Sequence, residues 1–587
     1  MSIALDDLAL KRARLRAKMQ PRNDQTINEL PILGLPVASD LIPAWRNGET
    51  FQTTAALIAS LGSASSTTSL GIFNVKAFGA TGNGVTDDTN AINAAISAAQ
   101  IAGGGVVYFP FGQYVISSTL TITASYVGLL GVGKNMSKLI MGTAGMTAIQ
   151  FIGGGTGASS LRNNYVSGLS AWQNNLTQAG IGISLYYTTV TVLQDIQVSG
   201  FFVGFSLQRA TSGYALRCIA AFNPSAPGLN GAIGWLINGN SAAGDPVIQG
   251  NASFSFVQCD SDMSPNGGYA NVSTGSIGFS ALGAYVGDLT FRDCGTSYAY
   301  YGFSINLTAA LVGGSDEDIF IDNCTIDYYT TQAILISGPG DGLSMVNIND
   351  GWIDPYPAAV NPVGVYCNAV AGVRIRGLQG YQNTTPIQTL VYLNGCSDCD
   401  IDVQCVNQKY GVYVFGSTDC SVGGRFFANA TYPATVHVNV TGSTRISIKG
   451  GSIFDGYATV GAQFDAGTSY SVLVGATFNP AHITTPVANS GTHNQIAKNP
   501  GYNPVGNIAA PTFPASNTIV TNNSGLDLMV LVTAGAAAIT VASVGGVTLL
   551  GYTVPITTLG SPIRLPAGQT IAFTYASGSP TWQWFAD

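Results

Sequence analysis

Asp262, Ser297 and Asp327 share one offset: each lies three residues after a cysteine, Cys259, Cys294 or Cys324. The next segment, Asn347-Ile348-Asn349-Asp350-Gly351-Trp352-Ile353-Asp354, adds Asp354 to the series. If the cysteines end strands that stack on one another, the four residues form an outward column. Asp327 and Asp354 then sit on neighbouring strands, about 5 Å apart at the backbone. Two carboxylates that close repel, so one keeps its proton near neutral pH. A protonated carboxyl beside an ionised one is the requirement for general acid plus base or nucleophile at a glycosidic bond. The alternative is that aspartates at coil corners only cap turns.

Tyrosines flank the column: Tyr298, Tyr300, Tyr301, Tyr328, Tyr329 and Tyr356. Exposed rings with polar tips suit the faces of sugars. The expected substrate-binding set is Tyr298, Tyr301, Tyr328 and Tyr356 with Asp262 and Arg292. The expected catalytic set is Asp327, Asp354 and Glu317. The chain has only three glutamates, and Glu29 and Glu49 lie near its start, so Glu317 is the one the body can use. Its loop, Gly313-Gly314-Ser315-Asp316-Glu317-Asp318, reads equally as an acidic surface loop or as a calcium site built from its oxygens. Arg292 beside Asp293, and Arg374 with Arg376, can reach an acidic sugar or simply pair with aspartates. His437, His482 and His493 are scattered without metal spacing, and no Ser-His-Asp set or phosphate loop stands out. No metal and no cofactor is expected. The nine cysteines have no disulfide-scaffold spacing, and Cys396-x-x-Cys399 has no second pair, so buried free thiols are expected.

These residues need a frame that repeats. Strand cores recur at Phe254–Phe256, Leu289–Phe291, Ile319–Ile321, Val373–Ile375, Ile401–Val403, Ile446–Ile448 and Val472–Val474. Apart from two wider gaps, after Ile321 and after Val403, they lie roughly 20–35 residues apart, the spacing of a solenoid whose coils bury apolar residues only by stacking. A propeller needs a longer blade repeat with its own signature, and none is visible. Ahead of the coils, Gly79, Gly82 and Gly84 punctuate a turn. Asp87 or Asp88 is placed to cap a helix with an apolar stripe at Ala91, Ile92, Ala95, Ile96 and Ala99. Strands at Val106–Phe109 and around Val115 follow. After Gly501–Gly506, Thr518–Asp587 reads as short strands of a β-sandwich. The division expected is an N-terminal segment at 1–62, a helix-capping segment at 72–122, a β-helix body at 123–500 and a C-terminal β-sandwich at 501–587.

Composition agrees with stacked strands. Of 587 residues 73 are glycine, 46% are hydrophobic and only 9% are charged, far below the usual quarter. A net charge of −8 argues against nucleic acid as a partner. No membrane span is expected, because the most apolar region, Leu526–Leu550, is broken by Thr, Ser and Gly. Residues 1–20 carry Lys11, Arg12, Arg14, Arg16 and Lys18 with no apolar run, so no export signal is expected. Leu5, Leu8 and Leu15 suggest a short amphipathic helix there.

The stretch Asn74–Ile92 resembles the opening of the pectate-lyase-like, right-handed parallel β-helix superfamily. That motif is roughly Asn-x-x-x-Phe/Tyr-Gly-Ala-x-Gly-Asp-Gly-x-Thr-Asp-Asp-Thr-x-Ala-Ile. Asn74, Phe78, Gly79, Ala80, Gly82, Gly84, Thr86, Asp87, Asp88, Thr89, Ala91 and Ile92 match, and Asn83 stands where Asp is usual. The resemblance implies the fold and carries no catalytic group. Leu35–Gly48 resembles virion-attachment segments of phage tail proteins. Anchor, β-helix and C-terminal β-domain together resemble a phage tailspike. That implies a homotrimer on the virion, joined to other tail proteins through its N-terminus and acting outside the host cell on capsule or O-antigen polysaccharide. The reaction expected is endo-hydrolysis by a carboxylate pair. The alternatives are β-elimination by a polysaccharide lyase, which needs a uronic acid and a group to neutralise it, or a receptor-binding spike without catalysis.

Overall fold

In the computed structural model the described residues are 41–46, 49–54 and 71–586, the latter apart from 155–159, 174–178, 222–229, 240–250, 264–273, 284–285, 308–317, 339–344, 383–387, 498, 503–506, 525, 534–538, 550–561 and 577. The expected N-terminal amphipathic helix and the loop with Glu317 lie outside them. Residues 1–72 and 73–587 form separate compact units. In the first, Leu41–Arg46 and Glu49–Thr54 pair as an antiparallel hairpin.

The division falls within the strand Ile72–Asn74, and the second unit continues with a 3-10 turn at Val75–Phe78 and the helix α1, Thr89–Ile101. Its buried face is Thr89, Ile92, Ala95, Ile96 and Ala99, the apolar stripe of the sequence with Ala91 at its margin. Of the two acids before it, Asp87 bonds a free N–H of the helix as expected, and Asp88 does not. Asp88 makes no side-chain cap bond to the helix. Its carboxylate turns back and accepts from Thr81 N (2.6 Å), Thr81 Oγ1 (3.0 Å) and Gly82 N (3.0 Å), tying the glycine turn together. Asp87 accepts from Thr89 N and from Ser117 Oγ, linking the helix start to the first coil. The glycine turn leaves amides unpaired, and a buried carboxylate satisfies several at once.

Among the described residues 43 strands form one parallel ladder system. It runs in three stacks, visited once per coil, which is a parallel β-helix; crossovers between parallel strands are right-handed in nearly all proteins. Three successive coils illustrate it. The first stack takes Val286–Arg292, Ile319–Asp322 and Val346–Asn349. The second takes Gly295–Ser297, Thr325–Tyr329 and Trp352–Pro355. The third takes Tyr301–Asn306, Gln332–Ser337 and Val363–Asn368. Inside, like residues lie on like. Phe205, Trp235, Phe279 and Phe303 stack with centroids 3.9, 5.9 and 4.7 Å apart. Cys259, Cys294 and Cys324 form the internal ladder their spacing implied; all nine cysteines are buried and free.

The sharp bend between the first and second stacks falls on Asp293, Asn323 and Asp350, with φ of 53°, 52° and 54°. Short polar side chains tolerate this left-handed region because they bond locally. Asn323 Nδ2 donates to Asp293 Oδ1 at 2.5 Å. The bend repeats on these three coils, so the strands that follow it start in register. Beyond the coils, Asn507–Ala586 holds two four-stranded antiparallel sheets. Among the described residues no helix is long and apolar enough to cross a membrane.

Candidate active site

Strand register builds the column that the cysteine offset implied. Asp262 lies opposite Ser297, Ser297 opposite Asp327, and Asp327 opposite Asp354. Alternation along a strand sends Thr296, Ile326 and Ile353 inward and their neighbours outward. Ser297 Oγ donates to Asp262 Oδ1 at 3.3 Å. Asp327 and Asp354 are both half-buried. Burial of its carboxyl, rather than repulsion from Asp354, pushes the Asp327 pKa up to about 6. The pKa is thus raised, as expected of one acid of the pair, but by burial rather than by the neighbouring carboxylate.

The tyrosines divide. Between Asp327 and Tyr329 the register slips by one: Asp327 is opposite Asp354, but Tyr329 is opposite Pro355. Tyr328 is the extra residue of this bulge, at φ 57°, and projects outward with 37% of its surface exposed. Its ring stacks on Tyr298, also at φ 57°, with centroids 4.9 Å apart and planes 2° apart. Tyr298 N donates to Asp327 O at 3.2 Å, and Tyr356 N to Tyr329 O at 2.9 Å, which pins this corner. Tyr328 and Tyr356, with Pro357 and Ala358, line a cleft of about 370 Å³.

Tyr329 faces the other way. It is fully buried, and its hydroxyl accepts a hydrogen bond from Gln388 Nε2, so it belongs to the core and not to the flank of the column. Tyr301 opens the third stack, half-buried and edge-on to Tyr300. Arg292 is exposed at the end of the first stack in register with Asp322, and the bend at Asp293 separates it from the column. Arg376 pairs with Asp400 at 3.6 Å. Two residues near the column escaped the sequence reading. Asp260 leans over Gly295 on the next coil, where a Cβ would meet its Oδ1 at 2.6 Å. It is exposed on the coil surface, and loss of solvation beside its neighbours pushes its pKa up to about 6. The run Cys259-Asp260-Ser261-Asp262 carried the signal, since alternation turns both aspartates outward. Trp352 packs against Tyr381 at 5.3 Å, beside Asp354.

Comparison with known proteins supports the fold. A family model described as rhamnogalacturonase A/epimerase, pectate lyase-like, matches residues 72–178. Mannuronan C5-epimerase AlgE5 of Azotobacter vinelandii is 49% identical over 78 residues, 12% of this chain and 8% of its own length. Alginate lyase 7 of the same organism is 47% identical over 78 residues, 12% of this chain and 9% of its own length. The chain thus spans less than a tenth of either relative. The family match ends well before Asp262, so it covers the helix-capping segment and early coils and leaves the carboxylate column outside. Among solved structures, the tailspike protein of E. coli bacteriophage HK620 in complex with pentasaccharide is 13% identical, covers 94% of this chain and 98% of that one, and gives a TM-score of 0.54. Pre-mature bacteriophage phi29 gene product 12 is 16% identical, covers 77% and 58%, and gives 0.51. At such identities the likeness is one of fold. The opening segment is pectate-lyase-like, and the coils are the β-helix found in phage tailspikes.

Proposed function

We propose that this chain is a phage tailspike that binds a bacterial surface polysaccharide, capsule or O-antigen, and cuts it by endo-hydrolysis. The observation that carries the reading is the pairing of Asp327 with Asp354 across one rung, with Asp327 holding its proton to about pH 6. In this reading Asp327 donates its proton to the leaving glycosidic oxygen. Asp354 attacks the anomeric carbon or activates the water that does. Tyr298, Tyr328 and Tyr356 hold sugar rings beside the pair, and Asp262 supports the far end of the column. Tyr301 and Arg292 are secondary candidates on neighbouring faces, and Glu317, outside the described residues, is the third carboxylate candidate.

The wider assignment is supported by the relatives. The HK620 tailspike shares the β-helix and is described with a bound pentasaccharide. Residues 1–62 are proposed as the attachment to other tail proteins, in a homotrimer that acts at the host surface from the virion.

Lyase chemistry is a second reading, favoured by the similarity of the opening segment to proteins named alginate lyase and mannuronan epimerase. The product decides. Incubation with a panel of bacterial polysaccharides should release fragments with new reducing ends and no unsaturated, ultraviolet-absorbing sugar. An unsaturated product makes the chain a lyase, and binding without any fragment makes it an adhesin.

A further inference from the structure

The second stack changes sign along its length. Residues 123–259 hold five Lys or Arg and two Asp, whereas residues 260–373 hold one Arg and twelve Asp or Glu. Lys138 stands in the same outward column as Asp260, four rungs away, and the strand of Asp327 lies two rungs further on. Lys138 is half-buried, and its ammonium rests over the ring of Trp172 on the next coil, 3.6 Å from the centroid. Burial lowers its pKa, with no carboxylate beside it to raise it. The loop 132–136 folds over this face towards the acids. Asn135 N donates to Ser170 Oγ at 2.8 Å, Asn135 Nδ2 to Gln197 Oε1 at 3.0 Å, and Lys134 Nζ to the Arg217 carbonyl at 3.1 Å. These bonds reach across three coils and leave Ser170 fully buried. They set the half-buried Lys134 at the coil directly before that of Asp260. Asp195, the carboxylate in this corner, is already held by Arg217 through two bonds of 2.7 Å. Neither lysine has an ion pair with a carboxylate among the described residues.

We propose that Lys138 and Lys134 bind an anionic group of the glycan, a carboxylate or a phosphate, set back from the bond that is cut. The proposal rests on the polysaccharide reading above and adds the class of substituent. Partly buried charges are screened less than exposed ones, so an anion gains more here than at a free surface lysine. The Trp172 ring attracts the Lys138 ammonium and steadies it, and the three bonds of the loop do the same for Lys134. Rungs stand about 4.8 Å apart, so the strand of Asp327 lies about 29 Å from that of Lys138 and about 14 Å from the coil that Lys134 reaches. The two amines therefore take no part at the reacting sugar. They act on which polymer docks and on its direction, because the acid column repels the same anion that the earlier coils attract. A glycan lying along the stack has its anionic group at the N-terminal end and the bond to be cut at Asp327 and Asp354.

The test uses the full-length chain and a panel of immobilised bacterial capsular polysaccharides, neutral, uronate-bearing and phosphate-bearing. The tightest binder should be anionic, and its binding should weaken as salt is raised. If it is uronate-bearing, reduction of its carboxyls to alcohols should weaken binding tenfold or more, which makes the group a carboxylate; if it carries phosphate and no carboxylate, the group is a phosphate. Lys138→Met and Lys134→Met keep the apolar stem and should each weaken binding fivefold or more and flatten the salt dependence. Lys138→Arg should stay within threefold of the parent. Lys76→Met, the same loss of charge on the capping segment, should leave binding unchanged. The Lys134 variant guards against misfolding of the Lys138 one. Parent-like binding by both Met variants, a neutral polysaccharide as the tightest binder, or no binding by any member overturns the site. If a neutral polysaccharide is bound and cleaved, the site fails and the hydrolase reading stands. If an anionic one binds through Lys138 and is not cleaved, the hydrolase reading fails and the site stands.

Discussion

Asp327 faces Asp354 directly across one rung of the second stack, and the strand carrying Asp327 bulges immediately afterwards. The pair is thus placed by regular stacking, and the departure from regularity begins one residue later, at the tyrosine that lines the cleft.

Removing either carboxylate should stop cleavage without loosening the fold. Asp327→Asn and Asp354→Asn are each expected to lower kcat by at least about 100-fold, with oligomeric mass and polysaccharide binding unchanged. Reducing-end assays and light scattering read this out. Full activity in both variants removes the pair from consideration.

The pH profile should report Asp327. Its carboxyl works as an acid only while protonated, and burial holds its pKa at about 6. Activity should therefore fall as pH rises through about 6, and this limb should vanish in the residual activity of Asp327→Asn. Stability carries the same signature with a definite sign. The folded pKa is raised above the unfolded one, so the folded state binds more protons between about pH 4 and 6. This group's contribution is most favourable below pH 4 and is lost as pH rises to 6. Asp327→Asn should thus melt higher than the parent at pH 7, by roughly 1 °C, and the gain should shrink to nothing near pH 4. A melting difference independent of pH would contradict the buried, protonated carboxyl.

Stereochemistry tests which rungs react. Neighbouring rungs stand about 4.8 Å apart at the backbone, close to the separation of about 5–5.5 Å between the carboxyls of retaining glycosidases. Asp262 and Asp327 have Ser297 between them, which doubles the spacing and approaches that of inverting enzymes. The expected first product is the retained anomer by time-resolved NMR. An inverted anomer would point to Asp262 as the partner of Asp327.

Gly351 should be irreplaceable. It sits at φ 104°, and a Cβ would meet the Cys324 carbonyl at 2.6 Å. Gly351→Ala is expected to cost roughly 1–3 kcal/mol and to shift Trp352 and Asp354, lowering activity with stability. Denaturant unfolding and cleavage assays should move together; parent-like values in both would show that the turn tolerates a side chain.

Residues 1–62 should be dispensable for the body, since the division between the compact units falls at Ile72. A chain beginning at residue 63 is expected to be soluble, with unchanged melting and cleavage. Aggregation of that chain would show that the N-terminal unit supports the coils.

The sequence alone determined the fold and the main column. The capping motif is local, and its helix and turn form from neighbouring residues. The seven strand cores read from alternation all fall on the first stack, several of whose strands run seven or eight residues, long enough for alternation to show. The cysteine offset located the column because one bend, at Asp293, Asn323 and Asp350, repeats before each short strand and keeps the count constant. Tertiary structure decided the rest. The second stack has strands as short as three residues, too short for a pattern, so its existence followed only from stacking. A one-residue bulge sent Tyr328 outward and Tyr329 into the core, and alternation cannot announce an inserted residue. Asp260 reached over Gly295 because the neighbouring coil lacks a side chain there. Burial, which depends on everything packed around a carboxyl, gave Asp327 its raised pKa.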